Sequence, residues 1–236
     1  MKAPADDHQI AAALARNDRY VREFVEGFNL CPYARRCRET GKLHRQVLLD
    51  PGGPPDSPEF ESVVHSLSIA IEKLEQLPPD AVEVGLILLP ALHHALSQGM
   101  EGARGFEQMV RTVRERMQAR HARGDTPFYC VAFHPGFAAD LADEHRAVRF
   151  IRRSPDPTVQ LVRASVLRAV RGNDPGGAHY IDISKMTTAE LMAVSSPLTV
   201  SGRIGRANLR TLLDAGPEHL SGLLAEIQAC YRDADK

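Results

Sequence analysis

The chain lacks the features that most readily announce a function. No uninterrupted apolar run approaches the roughly 20 residues that a membrane span needs. Near the N-terminus, Asp6, Asp7 and His8 stand where a signal peptide would carry an apolar core. The expectation is a cytoplasmic protein with no membrane partner. Excess charge is also missing: 29 Lys and Arg against 30 Asp and Glu give a formal net charge of −1, so no general attraction to nucleic acid is expected. Cysteine is scarce. Cys31, Cys37, Cys130 and Cys230 form no Cys-x-x-Cys pattern, and no His-x-x-x-His pair accompanies them. That removes the usual frameworks of structural zinc and leaves catalysis, ligation or burial as uses for reduced thiols. A Gly-x-Gly-x-x-Gly fingerprint, a P-loop and a Gly-x-Ser-x-Gly elbow are absent as well.

What is present is ordinary globular composition, 43% hydrophobic and 25% charged over 236 residues, enough for one substantial core. Apolar positions from Asp18 to Phe28 fall on one helical face, with Pro32 soon after as a breaker. Gln46–Leu49 reads as a short strand closed by a Pro- and Gly-rich turn. Ser57 is a suitable N-cap with Pro58 at the first helical position, and Phe60, Val63, Val64, Leu67, Ile71 and Leu74 follow at helical spacing. The run Val82–Leu89 reads as a strand covered on both faces. Phe106, Met109, Val110, Val113 and Met117 mark another helix, which leads to a strand over Phe128–Phe133. Pro157 opens a further helix on the spacing of Val159, Val162, Val166 and Val170. Tyr180–Ile183 reads as a strand, and Leu220, Leu223, Leu224, Ile227 and Tyr231 define a last helix. Alternating strands and helices predict an α/β fold: helices packed on a small, at least partly parallel sheet, with a C-terminal helical extension. Residues 1–172 form the α/β core domain that carries the site. Residues 173–236 form an added element, a lid or the contact surface of a homodimer.

Three proline-flanked segments carry the chemistry: Asn29-Leu30-Cys31-Pro32-Tyr33-Ala34, Phe133-His134-Pro135, and Arg152-Arg153-Ser154-Pro155-Asp156-Pro157. Cys31 at a helix start has amide groups and a helix dipole to favour a thiolate, which attacks electrophiles or binds iron. Its bland alternative is a small buried apolar residue. His134, just beyond a strand end, suits a general base, a proton shuttle or a metal ligand, against a structural histidine bonded to loop carbonyls. Arg152 and Arg153, with Ser154 at the entrance of the expected Pro157 helix, suit a carboxylate or phosphate, and Arg163 further along supports either. A solvated basic run is their alternative. Cys31 to Ala34 also invites comparison with the glutaredoxin Cys-Pro-Tyr-Cys motif, but a helix precedes it here and Ala34 stands in place of the second cysteine.

In this order, the three segments, together with Leu161 and Arg163 to Val166, resemble an uncharacterised bacterial and plant family, domain of unknown function 1415, over roughly residues 17 to 170. More distantly they resemble small haem-dependent N-oxygenases that convert amino-acid amines to nitro groups. That second resemblance implies a haem iron held by Cys31 or His134, arginines near the propionates, and a small amine or amino acid as substrate. Two alternatives stay open. One is a cofactor-free hydrolase or transferase in which His134 activates Cys31, oriented by Asp140, Asp143 or Asp156, on an anionic substrate. The other is a non-enzymatic binding module.

Overall fold

In the computed structural model, residues 4–121, 125–171 and 200–230 are described. Helix α1 (Pro4–Arg19) runs without a break into a π-helical segment (Tyr20–Glu26), and a short helix α2 (Ala34–Glu39) follows. Strand β1 (Leu43–Val47), helix α3 (Pro58–Glu75), strand β2 (Val84–Leu88), helices α4 (His94–Ser97) and α5 (Gly99–Arg120) and strand β3 (Phe128–Phe133) come next. Helix α6 (Glu144–Ile151), strand β4 (Thr158–Arg163), helix α7 (Ala164–Arg171), helix α8 (Val200–Ala215) and helix α9 (Pro217–Ala229) complete the chain.

The sheet is ordered β1-β2-β4-β3. β1 and β2 are parallel, whereas β4 is antiparallel to both of its neighbours. β1, β2 and β3 therefore point the same way, and β4 lies reversed between β2 and β3. The carboxyl ends of the first three strands and the start of β4 share one end of the sheet. The expected partly parallel α/β arrangement is present, with helices at the C-terminus.

Side-chain alternation divides the sheet into two faces. Ile87, Phe128, Cys130, Val159 and Leu161 face α3 and α5 in one core. The apolar positions that the sequence assigns to those two helices are all buried. Ser57 caps α3 by accepting the Phe60 N–H at 3.1 Å. On the other face, Leu86 and Leu88 meet Phe24 of the π-helical segment, Phe150 of α6, and Leu212, Leu220, Leu224 and Ile227 of α8 and α9. Each fully buried side chain of this size contributes roughly 1.5–3 kcal/mol. The C-terminal helices thus complete the second core.

One element differs from the sequence reading. Pro157 opens a strand, because Val159, Leu161 and Arg163 point to one face while Thr158, Gln160 and Val162 point to the other. The β-branched Thr158, Val159 and Val162 suit a pleated, half-buried surface. The helical spacing of Val159, Val162 and Val166 is a coincidence of that alternation with the start of α7. β1 begins three residues earlier than expected. The expected strand at Tyr180–Ile183 lies outside the described residues, as does Tyr231. Among the described residues, no helix is long and apolar enough to cross a membrane.

The segment entering β4 is tied to α1 by a buried ion pair. Arg16 Nε and Nη2 donate to the two carboxylate oxygens of Asp156, each at 2.9 Å, and both residues are more than nine-tenths buried. Removing one partner of such a pair leaves an uncompensated charge at a cost of about 3–5 kcal/mol, whereas an apolar replacement of both is often neutral or better. Asp156→Ala should therefore lose stability on that scale in urea denaturation, and the double variant Arg16→Met/Asp156→Leu should recover most of it.

Candidate functional site

Two of the three proline-flanked segments meet through their backbones at one end of the sheet, and the third joins them only along a cleft. The His134 N–H donates to the Arg152 carbonyl at 2.9 Å, and Phe133 is the register partner of Thr158, two residues after Asp156. Across the second face of the sheet, Leu30, Cys31, Pro32, Tyr33 and Ala34 border a cleft that Phe133, Ser154 and Thr158 also line. Asn29 enables the turn: its left-handed φ of 51° ends the π-helical segment, a conformation asparagine tolerates better than most residues. The Leu30 N–H closes that end onto the Val25 carbonyl at 2.9 Å.

The side chains of the three segments then part. The His134 ring is buried between Phe106 and Phe137 and lines neither the cleft nor the polar basin described below. Its Nδ1 accepts the Gly136 N–H at 2.9 Å, which puts the ring proton on Nε2, where it is donated to the Leu96 carbonyl at 3.0 Å. Desolvation pushes its pKa down to about 4, so the ring is neutral near pH 7. Asp140, Asp143 and Asp156, the three carboxylates considered as its orienting partner, are engaged elsewhere, with Arg146, with the start of α6 and with Arg16.

Cys31 is an exposed residue at the cleft's edge. Its sulfur is nevertheless crowded enough that desolvation, the largest influence, raises the thiol pKa. The backbone N–H groups of Tyr33 and Ala34 pull the other way without cancelling that rise. The junction between the π-helical segment and α2 delivers these two donors, so the expected helix-start setting for Cys31 is present. Cys37, buried and on the same cleft, has its pKa pushed up to about 11 by burial and by Glu83.

The arginines are dispersed. Arg152 is the C-cap of α6, so the pair follows a helix end where the dipole favours positive charge. The helix entrance expected for Arg152, Arg153 and Ser154 is absent because Pro157 leads into β4. Arg152 acts electrostatically on the Tyr20 hydroxyl. Arg153 stacks 5.4 Å over the Phe150 ring and donates through Nη1 to Ser221 Oγ at 3.3 Å, joining this loop to α9. Ser154 Oγ donates to the Asp156 carbonyl at 2.6 Å. Arg163 belongs to the other face and the far end of β4. Its Nε donates to the Val82 carbonyl at 2.7 Å, and its guanidinium lies 4.3 Å over the Phe128 ring.

Two cavities flank the buried Arg16–Asp156 pair. A polar basin of about 690 Å³ opens beyond the ends of β2 and β3, with Arg16, Asp156, Pro135 and Gly136 in its walls. The cleft beside Cys31 holds about 330 Å³ and is mostly apolar, walled by Val21, Leu86, Val162 and Val166 among others. Asn17, 1% exposed, lines the cleft, and its Oδ1 has no hydrogen-bond partner. Sequence reasoning missed Asn17, although a signal exists. Ala13, Asn17 and Tyr20 share one face at helical spacing, so a polar residue interrupts a buried stripe. Among the described residues, no group of three or more His, Cys, Asp and Glu side chains gathers as a metal site.

Comparison with known families settles the kinship. The chain belongs to the family described as protein of unknown function DUF1415. The match spans residues 12–194, reaching beyond both ends of the stretch from about 17 to 170 over which the motifs carry the likeness. No curated protein and no solved structure matches it. The DUF1415 match covers all three proline-flanked segments.

The buried neutral His134 has a consequence for stability. Its folded pKa of about 4 lies below its ordinary value of 6.5, so the unfolded chain takes up the proton first as pH falls. Stability should thus decline between about pH 6.5 and 4, by roughly 3 kcal/mol from this group alone. Urea midpoints measured across that range should show a shallower decline in His134→Asn, whose amide can still accept the Gly136 N–H.

Proposed function

We propose that the cleft beside Cys31 is the working site of a haem-iron-dependent oxidoreductase acting as an oxygenase of a small amine or amino acid, with the Cys31 thiolate as the protein ligand of the iron. The observation that carries this reading is the setting of Cys31. Its sulfur borders an apolar cleft, has two backbone N–H donors in reach, and has no His or Lys among the described residues lining that cleft. A desolvated thiol without a base is a poor nucleophile. A coordinated thiol, by contrast, is deprotonated outright, and hydrogen bonds to its sulfur then tune the metal.

The residues present fit part of a haem. The thiol and the apolar walls suit a thiolate-bound iron, and bound haem would supply the oxygen chemistry. In that role Tyr33 and Ala34 orient the sulfur through their N–H groups, while Leu30, Val84 and Val162 keep water from the reacting face. The cleft's 330 Å³ does not enclose a whole tetrapyrrole, and no Lys, Arg or His is among its described lining residues. The propionates must therefore find their partners outside it. Of the two candidate ligands, Cys31 is the one with a free approach. The alternative of a cysteine–histidine hydrolase or transferase has less support: both ring nitrogens of His134 are bonded away from the cleft, and no cation for an anionic substrate is among the cleft's described lining residues.

Absorption spectroscopy of protein produced with ample iron and then titrated with haemin tests this reading. A Soret band is expected, with haem affinity lowered by at least the roughly tenfold that loss of an outer-shell partner costs in Cys31→Ala, and little changed in His134→Asn. A colourless protein that takes up no haemin would overturn it, as would haem binding indifferent to Cys31→Ala.

A further inference from the structure

The polar groups along the cleft are unbalanced in a way that selects a ligand. Tyr20 donates its hydroxyl hydrogen to the Ile151 carbonyl at 2.6 Å. Ser154 and Thr158 both donate theirs to the Asp156 carbonyl, at 2.6 and 2.9 Å. Each of these three hydroxyls lines the cleft with its hydrogen already committed, so each has only lone pairs left to offer. Asn17 adds an unpartnered carbonyl oxygen in a side chain that is 1% exposed. Glu83 borders the cleft near Cys37 and is a further acceptor, a carboxylate already bonded to Arg36 and Lys42 at 2.9 and 3.0 Å. Donors are found elsewhere along the cleft, in the amides of Asn17 and Gln160, the Tyr33 hydroxyl and the N–H groups of Tyr33 and Ala34 near Cys31, but the three committed hydroxyls and the Asn17 oxygen make its Asn17 end rich in acceptors, and no cationic side chain is among the described lining residues.

These groups sit together rather than at random. Asn17 follows Arg16 in α1, Ser154 and Thr158 flank Asp156, and Arg16 and Asp156 are the buried pair. Asn17, Ser154 and Thr158 are thereby held at one end of the cleft. The walls elsewhere are mostly apolar, with Gln160 and Glu83 as their polar interruptions and Cys31, Tyr33 and Cys37 toward one edge. A buried polar atom with no partner costs about 1–3 kcal/mol, and such atoms are uncommon in native proteins. An incoming ligand donor at Asn17 would relieve that cost.

Taking the cleft as the working site, we infer that it binds a small, largely apolar molecule through a single uncharged O–H or N–H donor head group, that of an alcohol or of a primary amine in its deprotonated form, seated against Asn17, Tyr20, Ser154 and Thr158. Carboxylates and phosphates are disfavoured, because an anion would be desolvated with no countercharge among the described lining residues and would face oxygen lone pairs, so of the two substrate classes proposed above the amine is kept and the amino acid is dropped. The cavity's volume matches the lower end of small-molecule pockets, about 300–1,000 Å³, so the apolar body is limited to a short chain or one ring.

Isothermal titration calorimetry on the full chain without haem, with 1-hexanol, hexylamine and hexanoate as probes, tests this inference. Hexanol or hexylamine should bind at least roughly tenfold more tightly than hexanoate, the difference that about 1.4 kcal/mol makes. Comparing those two shows whether an O–H or an amine head group is preferred. Asn17→Leu should weaken the donor probe severalfold and leave the melting temperature unchanged or higher, since it replaces an unpartnered buried amide with an apolar side chain of similar size. Thr158→Val, a second and independent change, should also weaken it. Hexanoate binding as well as the donors, binding by none of the three, or a lower melting temperature in Asn17→Leu with undiminished affinity would each overturn the inference. The measurement needs no iron. A colourless protein that discriminates donors would retire the haem reading alone, and a haem protein that does not discriminate would retire this one alone.

Discussion

The buried pair of Arg16 and Asp156 is the constraint on which the working end of the molecule depends. Two charges removed from water are tolerable only when each satisfies the other with good geometry, and here two parallel hydrogen bonds of 2.9 Å do so. The pair fixes α1 against the loop that starts β4, the strand reversed between β2 and β3. The carbonyl of the same Asp156 takes the hydroxyl hydrogens of Ser154 and Thr158, so one residue anchors the ion pair and also sets which atoms of its neighbours remain available. The pair further forms a wall. Arg16 and Asp156 face the polar basin, while Asn17, Ser154 and Thr158 face the apolar cleft. Polar and apolar spaces on either side of a few residues are a direct outcome of that partition.

Much of the fold was legible in the sequence because it rests on local signals. The cap at Ser57, the stripe from Phe60 to Leu74 and the uninterrupted apolar run before Leu89 each determine an element without reference to the rest of the chain. β4 was not legible, and the reason is physical. Val159, Val162 and Val166 satisfy a helical period, whereas Val159, Leu161 and Arg163 satisfy a strand period, over the same stretch. Pairing with β2 and β3 decides between them, and that pairing is a long-range property. The misplaced helix in turn gave Arg152 and Arg153 a helix entrance, when they follow a helix end.

The site was legible in outline and not in detail. Proline beside Cys31, His134 and Ser154 does mark places where the backbone leaves regular structure, and these places do come together. A motif does not fix where a side chain points. His134 turns toward Leu96 because α4 and α5 bring a carbonyl there, and a ring with both nitrogens bonded in an apolar setting serves to hold a loop. Asn17 was the opposite case. It belongs to no motif, yet its place between Ala13 and Tyr20 on a buried face was visible from spacing alone. A polar residue on an apolar stripe is a stronger pointer to a ligand site than a reactive residue beside a proline.

Charge and proton accounting then limits what chemistry the cleft can host. Its walls are mostly apolar, the hydroxyls of Tyr20, Ser154 and Thr158 have spent their hydrogens, and Glu83, the carboxylate among its described lining residues, is already held by Arg36 and Lys42. The Tyr33 and Ala34 N–H groups reach the Cys31 sulfur, and no cationic side chain is among the described lining residues to stabilise negative charge on a substrate. Chemistry on a neutral donor-bearing molecule, with Cys31 engaged through its sulfur and not as a nucleophile, asks least of this arrangement. The apolar wall that makes the thiol of Cys31 reluctant to ionise penalises any buried charge in the same way, which is the physical basis for proposing an uncharged head group there.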